Sequence, residues 1–113
     1  MKGMSEKLFD LTQLRDLAAG SDDFVQSMID TFLEHTPGQL EEMINAYESG
    51  DLPVVGSIAH KIKPNIDLFN INDISQDIRV VEEKGKAGVN DEALKQSINK
   101  VRDILRESFS QMQ

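Results

Sequence analysis

"LPVVGSIAHKIKPNIDLF" (residues 52–69) is the segment whose reading decides the fold of this chain. Leu52, Val55, Ala59, Ile62, Ile66 and Phe69 recur in alternating steps of three and four, the pattern of a helix that buries one stripe against neighbouring helices. At about 100° per residue the stripe centres near roughly −30° from Ala59, and His60 falls near roughly +100°. His60 therefore faces solvent just beyond the buried arc. Pro53, Gly56, Lys63, Pro64 and Asp67 share its flank, and Lys61 points elsewhere.

Outward from that helix the same periodicity continues. Leu11, Leu14, Leu17 and Ala18 mark a short first helix closed by Gly20. Ser21 caps a second, with Asp22 and Asp23 in the first turn where the helix dipole favours negative charge. Val25, Ile29, Phe32, Leu40, Met43 and Tyr47 carry it to about Glu48, with a kink near Leu33 because Pro37 has no N–H to offer that carbonyl. Gly50-Asp51 ends this element and caps the next. "NIND" (70–73) reads as a turn, Ile74, Ile78 and Val81 face the core from a fourth helix ending near Gly85, and "KGKAGVN" (84–90) reads as a loop. Asn90 caps a last helix that buries Leu94, Ile98, Val101, Leu105 and Phe109. No alternation of apolar and polar residues suggests a strand. The reading is all-α: an up-and-down four-helix bundle with a short additional N-terminal helix, forming one domain over residues 1–113.

Composition narrows the function. Hydrophobic residues make up 39% and charged residues 28% of the 113, as in ordinary globular domains. No apolar run approaches the roughly 20 residues of a membrane span, and Met1-Lys2-Gly3-Met4 leads into no signal-peptide region, so a cytoplasmic protein with no membrane contact is expected. The absence of cysteine removes disulfides, thiolate metal sites and a cysteine nucleophile together. A net charge of −8 argues against nucleic acid, whose phosphates need clustered Lys and Arg. A protein partner is expected instead, and the lack of a spare apolar helix face favours a monomer.

Gly56 and Pro64, one turn either side of His60, present no long side chain, so another protein can approach the imidazole closely. Lys63 reaches forward as a cation beside it. A ring nitrogen exposed in this way can attack phosphorus, with the ammonium group meeting the phosphoryl oxygens. The residues alone leave alternatives open. An unremarkable surface histidine on a helical-bundle adaptor fits the pattern, and a small hydrolase with His60 as general base would need a second group, for which Ser57 is the nearest and a weak candidate. His35, near Pro37, has no cationic neighbour and is assigned no role. No histidine or carboxylate spacing suggests a metal site. Acidic pairs such as Asp22-Asp23, Glu41-Glu42 and Glu82-Glu83 read as solvated faces or dipole partners, and Met28, Met43 and Met112 as core filler.

The run Ala59-His60-Lys61-Ile62-Lys63, followed by Pro64-Asn65-Ile66 and Leu68-Phe69-Asn70-Ile71, resembles the A-H-x-L-K-G-x signature of histidine-containing phosphotransfer (HPt) domains. "FDLTQL" (9–14) and "GSDDFVQSMIDTFLEHTPGQLEEM" (20–43) resemble the first two helices of that family. The resemblance implies a phosphorelay carrier that takes a phosphoryl group from the aspartate of one receiver domain and gives it to another. His60 matches the phosphoryl-accepting histidine and Lys63 the lysine that positions the phosphate. Gly56, Pro64 and Asp67 would belong to the surface that docks the receiver, a response regulator or part of a hybrid sensor kinase. Pro64 stands where the family usually has glycine; it lacks a long side chain and frees the carbonyl of residue 60. Members often place a polar side chain, commonly glutamine, near the imidazole from the fourth helix, and counting along this sequence puts Glu82 there. A carboxylate would hold the imidazole tautomer but repel phosphate, so Glu82 is left outside the site. No cofactor is implied for this chain, with Mg²⁺ expected on the receiver, and no nucleotide motif is present, so the chain is a carrier rather than an independent enzyme.

Overall fold

A computed structural model describes residues 7–113, so the reading of residues 1–4 lies outside it. It contains α1 (Thr12–Leu17), α2 (Asp22–Glu48), α3 (Leu52–Leu68), a 3-10 turn (Asn72–Ile74), α4 (Ser75–Ala87) and α5 (Glu92–Met112). No strand occurs among the described residues, and none of their helices is long and apolar enough to cross a membrane.

Local chemistry sets most helix ends. The Ser21 hydroxyl accepts from the Phe24 N–H at 3.2 Å, and Asp22 and Asp23 fill the first turn of α2. That helix continues through Pro37, as α3 does through Pro64. Asp51 precedes α3 without a side-chain cap; Pro53, which needs no hydrogen-bond acceptor, lies in the first turn instead. Two sequence expectations are corrected further on. Gly85 does not end α4, which runs to Ala87 and stops at Gly88, whose φ of 71° is one an L residue resists. Asp91 rather than Asn90 caps α5: one carboxylate oxygen accepts from Leu94 N–H at 2.9 Å and the other receives Lys84 at 2.9 Å. Both interactions hold the Asp91 carboxyl below its usual range, the lysine contributing most.

The long helices close around one core. α3 packs on α2 and α4, α5 also packs on α2 and α4, and α1 lies against α2. Phe32 of α2 stacks on Phe69 at 4.5 Å between ring centres and meets Phe109 of α5 edge-on at 5.5 Å. Leu52, Val55, Ala59, Ile62 and Ile66 are buried along α3, facing Ile78 and Val81 of α4 and Leu94, Ile98, Val101 and Leu105 of α5 in the same core. Met43 is fully buried, and Met28 and Met112 pack at its edge.

One contact sets the position of α4. A Cβ on Gly85 would lie 2.5 Å from the Gly56 nitrogen, and one on Gly56 would lie 2.7 Å from the Lys86 nitrogen. The two helices therefore touch backbone to backbone, one turn before His60. This overturns the placing of Gly56 on an exposed docking surface: Gly56 is buried beneath α4. Its lack of a side chain serves helix packing, not access for a partner.

Candidate functional site

Along the α3–α4 seam, Gly56 meets Gly85, His60 meets Glu82 and Asp67 meets Arg79. The partner number falls as the α3 number rises, so the helices run antiparallel. Starting from the glycine contact, each further turn of α3 brings a polar side chain opposite one from α4.

Glu82 is the centre of this arrangement. Its side chain is only 10% exposed, yet three cationic or potentially cationic groups converge on it. Oε2 lies 2.6 Å from His60 Nδ1 and accepts from Lys86 Nζ at 2.9 Å, and Oε1 lies 2.8 Å from Lys63 Nζ. The hydrogen bonds from Lys63 first, then from Lys86, hold the carboxyl down at about 2, with His60 adding to them against the opposing effect of burial. At neutral pH Glu82 is therefore ionised and can only accept. Nδ1 of His60 must then carry a proton in this contact, which in the neutral ring leaves the lone pair on Nε2. The His60 side chain is 61% exposed, so the ring is oriented on its inner side and open on the other.

The remaining predicted residues divide. Lys63 sits beside His60 but spends its ammonium group on Glu82. Pro64 is exposed on the following turn. Asp67 is held in a paired contact by Arg79, whose two terminal nitrogens donate to it at 3.2 and 2.8 Å while one also donates to the Ser75 carbonyl. Glu82, and not Ser57, is the group paired with His60. His35 is exposed, with Glu34 at 3.8 Å.

Two residues of the cluster were not assigned from sequence. Counting along the sequence places Glu82 close to His60, but its pairing with two lysines is not legible there. Lys86 was missed because Gly85 read as a helix end, which put Lys86 in a loop. The available signal was the spacing: Lys86 follows Glu82 by four residues, so on a continued helix both share one face.

An open pocket of about 230 Å³ lies between residues 7–10 and 70–73, and His60 does not line it. Among the described residues no three His, Asp or Glu side chains are grouped to hold a metal ion. The chain matched no family model, and neither curated proteins nor solved structures gave a match.

Proposed function

We propose that this chain is a phosphorelay carrier, an HPt-like up-and-down four-helix bundle of the cytoplasm that moves a phosphoryl group between receiver-domain aspartates through His60. The observation that carries the reading is the exposed imidazole whose Nδ1 is held by a buried, ionised carboxylate. A group oriented by a buried acid is the general arrangement of an activated nitrogen. An ordinary surface histidine has no need of it.

The transfer balances without a free proton. The Nε2 lone pair attacks phosphorus of the receiver's aspartyl phosphate, the P–O bond breaks, and its electron pair returns to the aspartate carboxylate. His60 then carries phosphoryl on Nε2 and a proton on Nδ1, and the resulting imidazolium lies against Glu82. In the return step the electrons of the N–P bond go back to Nε2, and the ring leaves as neutral imidazole because Nδ1 has kept its proton. The receiver supplies Mg²⁺ and in-line alignment; this chain supplies the nucleophile and its surrounding charges.

The test is incubation with a phosphorylated receiver domain, read by intact mass and by acid lability of the label. The wild-type chain is expected to gain one acid-labile phosphoryl group. His60→Gln should abolish that gain while leaving the helical circular dichroism unchanged, since the side chain is largely in solvent. Retention of acid-labile label by the variant would sink the reading, and a pure binding adaptor would show no gain in either protein.

A further inference from the structure

We infer that Lys86 is a second phosphoryl-binding cation, held on Glu82 while His60 is empty and released to the phosphoryl oxygens when His60 is loaded. The inference rests on the phosphocarrier reading and adds to it a residue and a charge exchange. The observation behind it is that a single atom, Glu82 Oε2, is shared by His60 Nδ1 and Lys86 Nζ. The ammonium group of Lys86 is thus one carboxylate away from the imidazole.

Counting charges decides between one lysine and two. In the empty site with a neutral ring, two ammonium groups against one carboxylate leave one positive charge. Loading adds one net negative charge, because the ring becomes an imidazolium while the phosphoryl group is a dianion. The set of four side chains then comes out neutral. With Lys63 alone, Glu82 would already be balanced, and the loaded site would be left with an uncompensated negative charge beside a buried carboxylate. The objection that Glu82 repels phosphate is met only when Lys86 is counted.

The exposure of the two lysines favours the exchange. The Lys86 side chain is 55% exposed, whereas that of Lys63 is 28% exposed, so Lys86 has the freer arm. Its backbone is carried against α3 by the Gly56–Gly85 contact, one turn from His60. The other two cations of α4 are engaged elsewhere: Arg79 with Asp67, and Lys84 with Asp91. A phosphoryl group presents three acceptor oxygens with more charge than a carboxylate that already accepts from His60, so it competes well for both ammonium groups. Nδ1 keeps its proton throughout and donates it to Glu82, and the imidazolium formed on loading strengthens that bond.

The experiment uses the whole chain and a chemical donor, potassium phosphoramidate, so that no receiver interface enters. Loaded wild type, Lys86→Gln and Lys86→Arg are compared by phosphorus NMR as the phosphoryl group is titrated. A nearby ammonium group favours the dianion, so Lys86→Gln should raise the phosphoryl pKa by roughly half a unit or more, and Lys86→Arg should restore it. The loaded fraction of Lys86→Gln should fall about three-fold or more. An unchanged titration and unchanged loading in Lys86→Gln would overturn the role of Lys86 and leave the carrier reading intact, as would a defect that arginine fails to rescue. Failure of His60 to load from both phosphoramidate and a phosphorylated receiver would overturn the two together.

Discussion

Helix α3 has two sides that are built on different rules. Toward the core it offers Val55, Ala59, Ile62 and Ile66, with Phe69 just beyond its end stacked on Phe32. Toward the exposed seam with α4 it offers His60, Lys63 and Asp67, each met by an opposite or complementary group. The first side is held by apolar area, is non-directional, and tolerates side-chain adjustment. The second depends on two backbones touching at Gly56 and Gly85, because only that approach brings a carboxylate on α4 within reach of an imidazole on α3. Apolar burial is concentrated on one side and the proposed chemistry on the other.

The sharpest way to break that division is to damage each side once. Phe69→Ala removes a fully buried ring and should cost about 3–5 kcal/mol of folding stability, measured by denaturant unfolding. If the proposed carrier function holds, the variant should still accept phosphoryl groups below its unfolding midpoint, since the seam is untouched. Gly85→Ala sets two effects against each other: alanine gains about 1 kcal/mol in helix propensity, but its Cβ would fall 2.5 Å from backbone that cannot rotate away. Overpacking of that kind costs about 1–3 kcal/mol, so the net change is a smaller destabilisation than that of Phe69→Ala. Phosphoryl acceptance should nevertheless drop further in Gly85→Ala, because α4 is pushed off α3. If Gly85→Ala retained full acceptance, the two sides would not be functionally distinct.

Acid titration sharpens the same contrast. The Glu82 carboxyl is lowered from 4.5 to about 2 in the folded chain. A depressed carboxyl contributes stability that is fully present above its unfolded value and is lost as pH falls through the folded one. Wild type should therefore exceed Glu82→Gln by about 1–2 kcal/mol at neutral pH, between the worth of an exposed ion pair and that of a buried charge-assisted hydrogen bond. The gap should narrow as pH falls from about 4.5 to about 2. Asp10 and Asp91 are also depressed, so the difference between the two unfolding curves isolates Glu82 where neither curve alone would. A gap that stayed constant over this window would mean that Glu82 is not held ionised by its neighbours.

The two sides were not equally legible in the sequence. Apolar spacing carries its own period, so the core residues of α2, α3 and α5 and the outward position of His60 followed from counting. The seam has no period of its own. Taken singly, Gly56 reads as clearance for a partner and Gly85 as a helix stop. Their role is a pairwise one, close backbone approach, and a pair 29 residues apart leaves no local trace. Reading Gly85 as a helix end hides that Lys86 shares a helix face with Glu82. The Asn90 cap failed for a more local reason: Asn and Asp stand side by side, both are good caps, and only Asp91 also offers a charge to Lys84.

At the far end of the seam the smallest effect is expected. Asp67 and Arg79 form a two-point contact, but their side chains are 42% and 38% exposed, so water and salt screen the pair. A double-mutant cycle of Asp67→Ala and Arg79→Ala should return a coupling of about 0.3–1 kcal/mol, shrinking in high salt. Arg79→Ala should cost more than Asp67→Ala, because the guanidinium also donates to the Ser75 carbonyl at 2.9 Å and hydroxyl at 3.2 Å, tying the first turn of α4 to the seam. The proposed phosphoryl acceptance at His60, read with phosphoramidate so that no docking surface enters, should change little in either variant, since neither residue is bonded to the imidazole or to Glu82's lysines. A coupling well above this range, or a loss of acceptance comparable to that of Gly85→Ala, would show that the seam acts as one cooperative unit and that the glycine contact is only its first rung.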